Sequence, residues 1–182
     1  TRFGDGHLRN TPPGADGLVM LPFLNGERTP DLPHGKGVLA GLDTTNMTPA
    51  HLYRAAMEGA TYALKFGYDA FVGAGMQFDR IVLTGGGSNS AAWRQLVAAV
   101  FGLPVDVPAQ SEGAAFGAAL QALWATGRAR GETASIADIA RMHVALDPAL
   151  SASPVAARTR AYAAAYDRFL RHLDALTPLQ RG

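Results

Sequence analysis

The sequence predicts an α/β domain in which short strands alternate with helices. Runs rich in aliphatic residues at 18–24, 37–42, 81–84 and 105–107 have the length and composition of strands. Between and after them, segments at 49–72, 91–101 and 112–124 repeat apolar residues every three or four positions, as amphipathic helices do. At 182 residues the chain can bury a genuine core, and a single domain is the default expectation.

Residues 1–16 are rich in Gly, Pro, Asp and Asn, a composition that predicts a linker or loop, with the folded domain at 17–182. The sequence does not begin with Met, which we interpret as a sign that it is a fragment of a longer chain. The run at 18–24 lacks alternation, so we expect a strand buried on both faces, and Pro22 indicates its end or an edge position.

The loop that follows contains the charged pair Glu27 and Arg28. Two prolines and two glycines between residues 25 and 35 exclude a regular element there. One interpretation is a surface loop with an ordinary ion pair, and the other is a loop that lines a substrate cleft.

A long helix begins at Thr48 and Pro49, an N-cap followed by proline at the first helical position. It should run to about residue 72 and end at glycines 73 and 75. Small and apolar residues predict its inner face: Leu52, Ala55, Ala56, Gly59, Ala60, Ala63, Leu64, Gly67 and Phe71. Glu58 borders this face, and we expect a solvated charge there rather than a cap for a neighbouring loop.

A glycine turn follows the strand at 81–84. It consists of Gly85, Gly86 and Gly87, and Ser88, Asn89 and Ser90 then provide helix-cap chemistry. Consecutive glycines let another molecule approach the main chain, and the amides of the turn and of the next helix favour an anion such as a phosphate. The alternative is that the glycines merely reverse the chain direction.

The helix at 91–101 closes at Gly102 and leads into the strand at 105–107, which makes one βαβ unit. Ser111 should cap a helix that runs to about residue 124, with Gly113 and Gly117 on a flat face. That face indicates tight core packing or a helix close behind a ligand loop. From residue 154 the sequence predicts a terminal helix docked on the core through its aromatic stripe.

Composition excludes several functional classes. A net charge of +1 gives no electrostatic signature for nucleic acid or for a membrane surface, so neither is expected as a partner. The absence of cysteine fits a reducing compartment, and we expect a cytoplasmic protein. The five histidines are dispersed without metal-ligand spacing, so neither a metal site nor a catalytic triad is predicted in this chain.

Three stretches carry a resemblance to a known family. Residues 37–42 together with 51–58 resemble the second signature of the FGGY carbohydrate kinases. Residues 85–90 with 93–95 are similar to the adenosine motif of that family, and the loop at 21–30 looks like that of its xylulokinases rather than its glycerol kinases. The segment at 112–119 and the Tyr-rich last helix are also similar to the C-terminal part of xylulokinases.

The resemblance implies a ribonuclease-H-like fold of the actin and hexokinase type, with a mixed sheet flanked by helices. This chain would be the C-terminal, ATP-binding domain of a kinase that converts D-xylulose to D-xylulose 5-phosphate, with ATP and sugar held between two domains. The main chain of Gly85, Gly86 and Gly87 would contact the nucleotide, with Ser88 and Ser90 near the adenosine or α-phosphate.

The resemblance also implies what this chain lacks. The catalytic Asp and the Mg²⁺ and phosphate loops would belong to the N-terminal domain, which becomes the expected partner, and this fragment alone would be inactive. Other substrates remain open (L-ribulose, L-xylulose, gluconate or glycerol), as do a non-catalytic actin-like module, a glycine turn that binds nothing, and a homodimer.

Overall fold

The computed structural model describes residues 6–8, 10–110 and 112–180. Within them lie four short strands and five helices with both ends described, which we number in chain order. Residues 6–8 and 10 are also helical. The strands are β1 (Val19–Leu21), β2 (Val38–Ala40), β3 (Ile81–Val82) and β4 (Val105–Asp106). The helices are α1 (Pro49–Gly73), α2 (Ala91–Phe101), α3 (Gly113–Ala129), α4 (Ile136–His143) and α5 (Ala156–Gln180). Short 3-10 turns occupy Ala15–Gly17, Gly86–Asn89 and Pro148–Leu150.

The strands pair in both directions, which confirms the α/β class. β1 runs antiparallel to β2 with Val19 opposite Ala40, and β3 runs parallel to β4 with Ile81 opposite Val105. The parallel pair with α2 between its strands is the predicted βαβ unit. In the described part of the chain the four strands form two separate two-stranded sheets.

Local signals set the ends of α1 as predicted. Thr48 is the N-cap, and its hydroxyl accepts a hydrogen bond from the amide of His51. The predicted inner face is confirmed at Ala55 and Gly59, which are buried, and is wrong at Leu52, Leu64 and Phe71, which are exposed. The buried side of α1 also contains four residues that were not predicted: Arg54, Glu58, Thr61 and Tyr62.

Glu58 is buried rather than solvated, which corrects the expectation from the sequence. Its carboxylate lies 3.0 Å from Nη1 of Arg54 and accepts a 3.0 Å hydrogen bond from the amide of Gly14. Arg54 in turn donates to the hydroxyls of Thr11 and Tyr162 and to the carbonyl of Leu8. Burial raises the pKa of Glu58, and the hydrogen bonds from Arg54 and Gly14 oppose that rise.

The same contacts attach the N-terminal segment to the domain. Residues 10–16, part of the predicted linker, thus contact α1 through Thr11 and Gly14, while residues 1–5 and 9 lie outside the described residues. The domain boundary at residue 16 stays a prediction.

The terminal helix α5 completes the main core, as its aromatic stripe predicted. Tyr162, Tyr166, Phe169 and Leu173 are buried against β1, α1 and α2. The ring centroid of Phe169 lies 5.4 Å from that of Tyr62 on α1 and 6.5 Å from that of Phe23 after β1. No helix in the described part of the chain combines the length and apolarity that crossing a bilayer requires.

Helix α3 differs from its prediction in length and packing. It continues to Ala129 rather than to about residue 124, and the predicted Ser111 cap lies outside the described residues. A Cβ on Gly113 would make ordinary contact with Thr84, whereas a Cβ on Gly117 would meet nothing within 4 Å. The face with these glycines is therefore not packed tightly in this part of the chain.

Candidate functional site

The glycine turn lies between β3 and α2, where the sequence placed it. The amide of Leu83 extends the parallel pairing by donating to the carbonyl of Asp106 at 2.8 Å. The chain then bends at Gly85 and forms the 3-10 turn Gly86–Asn89. Ser90 caps α2, since its hydroxyl accepts a 3.1 Å hydrogen bond from the amide of Trp93.

Backbone geometry or packing requires glycine at two of the three positions of the turn. Gly85 has a φ of 84°, in the left-handed region that side chains disfavour. A Cβ on Gly87 would overlap the six-membered ring of Trp93. Gly86 has neither constraint: a Cβ there would meet nothing within 4 Å. The absence of a side chain at this position therefore leaves the exposed main chain open to an approaching molecule.

The two serines of the predicted site help to shape the turn. The Ser88 hydroxyl donates a 2.7 Å hydrogen bond to the carbonyl of Gly85, and its side chain is buried. Ser90 contributes its hydroxyl to the cap of α2. A direct contact of either hydroxyl with a nucleotide stays a prediction.

A buried arginine holds the turn from the α2 side. Nη1 of Arg94 donates a 2.6 Å hydrogen bond to the carbonyl of Ser88. Arg94 is only 7% exposed, so its charge lies beneath the turn rather than in solvent. Its guanidinium therefore adds positive potential close to the main chain of the turn.

This arrangement can bind an anionic group through the main chain. The first N–H groups of a helical turn have no intrahelical acceptor, and the dipole of α2 favours negative charge at its start. The residues of the turn thus fit a nucleotide phosphate. In the described part of the chain, no group of three or more His, Asp and Glu side chains is placed to hold a metal ion.

The loop with Glu27 and Arg28 lies between β1 and β2, whereas the glycine turn lies between β3 and α2. Main-chain hydrogen bonds of 2.8 and 3.0 Å pair Glu27 with Leu32 and close a tight hairpin. Glu27 accepts a hydrogen bond from the amide of Arg28, and among the ion pairs of the described residues none joins their side chains. Both residues border an open surface depression that is lined only by residues of the same loop. An ion pair between Glu27 and Arg28 is thus absent from the described residues, and a role of this loop in a substrate cleft stays a prediction.

A larger cavity, of about 690 Å³, was not foreseen from the sequence. It lies between the N-terminal segment, the start of α2 and α5. Its lining residues include Thr11, Arg54, Gln95, Arg158 and Tyr162. These positions are distant in sequence and share no motif, so no sequence signal could have brought them together.

Comparison of the sequence with known proteins finds carbohydrate kinases. Residues 7–126 match the C-terminal domain of the FGGY family of carbohydrate kinases. A xylulose kinase from Haemophilus influenzae is 40% identical over 168 residues, which are 92% of this chain and 33% of that relative. A gluconokinase from Bacillus licheniformis is 40% identical over 124 residues, which are 64% of this chain and 23% of that relative.

The structural comparison agrees with the sequence comparison. The crystal structure of a xylulose kinase from Rhodospirillum rubrum superposes with a TM-score of 0.83 and 26% identity, and covers 100% of this chain. The chain spans 35% of that structure. The likeness confirms the ribonuclease-H-like fold expected from the resemblance.

Proposed function

Since the chain belongs to the FGGY family of carbohydrate kinases, we propose that it is the C-terminal, ATP-binding part of a kinase that converts D-xylulose to D-xylulose 5-phosphate. The observation that carries the nucleotide assignment is the open main chain at Gly86, between a strand end and a helix start. It supports an approach of phosphate oxygens to the backbone amides of this turn.

Each residue of the proposed site has a defined part. Gly85, Gly86 and Gly87 present their main chain to the nucleotide, and Ser88 and Ser90 hold the turn in shape from positions near the adenosine or α-phosphate. ATP supplies the phosphoryl group, with Mg²⁺ contacts that would come from outside the described residues. Phosphoryl transfer depends on positioning and charge stabilisation from both sides of the nucleotide. We therefore expect the isolated chain to be inactive and to need the catalytic Asp of an N-terminal domain as partner.

A binding measurement with matched glycine variants tests the assignment. Calorimetry with ADP and Mg²⁺ should show binding to the chain that Gly86→Val abolishes, because the valine side chain would occupy the approach to the amides. Gly67→Val is the control, since a Cβ there also meets nothing within 4 Å but lies on α1. Equal affinities for the parent and Gly86→Val would contradict the assignment. If the chain alone gives no binding heat, the same pair is compared by KM for ATP after the chain is joined to its N-terminal domain.

A gluconate kinase is the second candidate, because gluconokinases are among the relatives with similar identity. The preference for D-xylulose in this proposal assumes that the loop with Glu27 and Arg28 faces the sugar. Glu27 and Asp31 supply two carboxylates to this loop and Arg28 one guanidinium, so an anionic substrate would meet like charge there.

Substrate choice is tested with the kinase that contains this chain. Release of ADP is measured with D-xylulose, gluconate, L-ribulose, L-xylulose and glycerol. We expect kcat/KM to be highest for D-xylulose. A higher value for gluconate would replace the proposed substrate while leaving the nucleotide site intact.

A further inference from the structure

Trp93 joins the glycine turn to the middle of α1. Its six-membered ring fills the space where a Cβ of Gly87 would lie. Its indole N–H points away from the turn and donates a 3.0 Å hydrogen bond to Oγ1 of Thr61. The ring also packs against both main hydrophobic clusters of the domain.

Thr61 is a fixed acceptor for that hydrogen bond. Its side chain is fully buried, at 0% exposure. Its hydroxyl donates a 2.8 Å hydrogen bond to the carbonyl of Met57, one turn earlier in α1. Because the hydroxyl hydrogen is used there, the oxygen lone pairs face the indole. The ring orientation of Trp93 is therefore set by a residue of α1 that is 32 positions away in sequence.

We propose that the Trp93–Thr61 hydrogen bond fixes the position of the glycine turn relative to α1, which makes Trp93 and Thr61 positioning residues for nucleotide binding. The inference rests on the proposed function, because it assumes that the turn binds the nucleotide. The Trp93 ring occupies the space of a Cβ on Gly87, while the Cβ position of Gly86 is empty. A ring that rotates or tilts would move the amides of the turn, and misplacement by about 1 Å can cost a factor of about 100 in an enzyme rate.

Conservative variants separate the hydrogen bond from simple packing. Thr61→Val keeps the shape of the side chain but removes the acceptor, and Trp93→Phe keeps an aromatic ring but removes the donor. Each should weaken ADP binding by about tenfold, the worth of about 1.4 kcal/mol. The double variant should resemble Trp93→Phe alone, since both changes remove the same bond. Thr61→Ser restores the hydroxyl and should recover most of the affinity.

Two controls address a purely structural role. Trp124→Phe removes the other indole of the chain, whose N–H donates to the carbonyl of Ala134, and should leave ADP affinity unchanged. Leu173→Ala removes a buried side chain of α5 and should lower the melting temperature without changing ADP affinity. In the kinase that contains this chain, Thr61→Val should raise KM for ATP while KM for the sugar stays constant, a split that general destabilisation does not produce.

The outcomes distinguish this inference from the proposed function. If Thr61→Val and Trp93→Phe leave both ADP affinity and KM for ATP within twofold of the parent while Gly86→Val abolishes binding, the positioning role is refuted and the nucleotide site stands. If Gly86→Val also binds normally, the site itself is misplaced. Loss of affinity in Thr61→Val with recovery in Thr61→Ser supports the inference.

Discussion

Glu58→Ala should lower the free energy of unfolding by about 4 kcal/mol or more, because it leaves a buried guanidinium unpaired and a buried amide without acceptor. Glu58 is 2% exposed and Arg54 is 4% exposed, so water cannot replace the lost carboxylate easily. The amide of Gly14 loses its 3.0 Å hydrogen bond in the same variant. Glu58→Gln keeps an oxygen for Gly14 but does not balance the charge of Arg54, so it should cost roughly 3 kcal/mol.

Urea denaturation followed by tryptophan fluorescence measures the effect. The midpoint should fall with the m-value unchanged, which assigns the change to the folded state rather than to compactness. For a chain of this size, about 4 kcal/mol corresponds to a melting temperature roughly 8–16 °C lower. Tyr62→Phe is a control on the same helix. Its hydroxyl is buried without a hydrogen-bond partner among the described residues, so its removal should be neutral or stabilise by up to about 1 kcal/mol.

A double variant tests the charge argument directly. Arg54→Met with Glu58→Leu leaves no unmatched charge, so it should be less destabilised than Glu58→Ala alone. The reasoning is refuted if Glu58→Ala loses less than about 1 kcal/mol at a constant m-value. The charge argument is also refuted if the stability losses of Arg54→Met and Glu58→Leu simply add in the double variant, because residues in direct contact should couple.

Two further predictions concern a pair of glycines in α1 and the cap of α4. Gly59→Ala should destabilise by about 1–3 kcal/mol in urea titrations, because its Cβ would overlap the carbonyl oxygen of Met20 in β1. Gly67→Ala should stabilise by roughly 0.5–1 kcal/mol, since its Cβ meets nothing within 4 Å, and equal effects at both sites would contradict the packing argument. Hydrogen bonds from Ser135, assisted by a nearby arginine, lower the pKa of Asp138 to about 2, so the stability from this cap is present above pH about 4 and is lost as pH falls toward 2. Carboxyl NMR titration should show Ser135→Ala raising that pKa toward 3.8, and an unchanged pKa would exclude the cap as its cause.

Local chemistry allowed the element boundaries to be predicted from sequence. Thr48 with Pro49, Ser90 and Gly102 act through their own backbone and the next few residues, so the sequence contains what each helix end requires. The same holds for the glycine turn, whose place between β3 and α2 follows from adjacent residues. The proposed positioning role of Trp93 could not be predicted from the sequence, because its hydrogen-bond partner Thr61 belongs to another helix.

The buried face of α1 was predicted only in part, for a related reason. Apolar periodicity favoured the stripe with Leu52, Leu64 and Phe71, and polar side chains were assigned to solvent. In the structure Arg54 and Glu58 are buried because they satisfy each other and the N-terminal segment. The partners in the N-terminal segment are more than 40 residues away in sequence. Burial of a charge depends on such partners, and apolar periodicity does not show them.

The residues that carry the family resemblance therefore have two different physical roles. Arg54 and Glu58 belong to the signature at 51–58, yet their hydrogen bonds go to the N-terminal segment and to Tyr162 of α5. These contacts hold the N-terminal segment and α5 against α1, and none of them identifies a substrate. Gly86 has no such structural reason, since its Cβ position is empty and its φ is not in the left-handed region. Gly67 on α1 also has an empty Cβ position, so this absence alone does not indicate a ligand. The nucleotide proposal depends on where Gly86 lies, in the exposed turn between a strand end and a helix start.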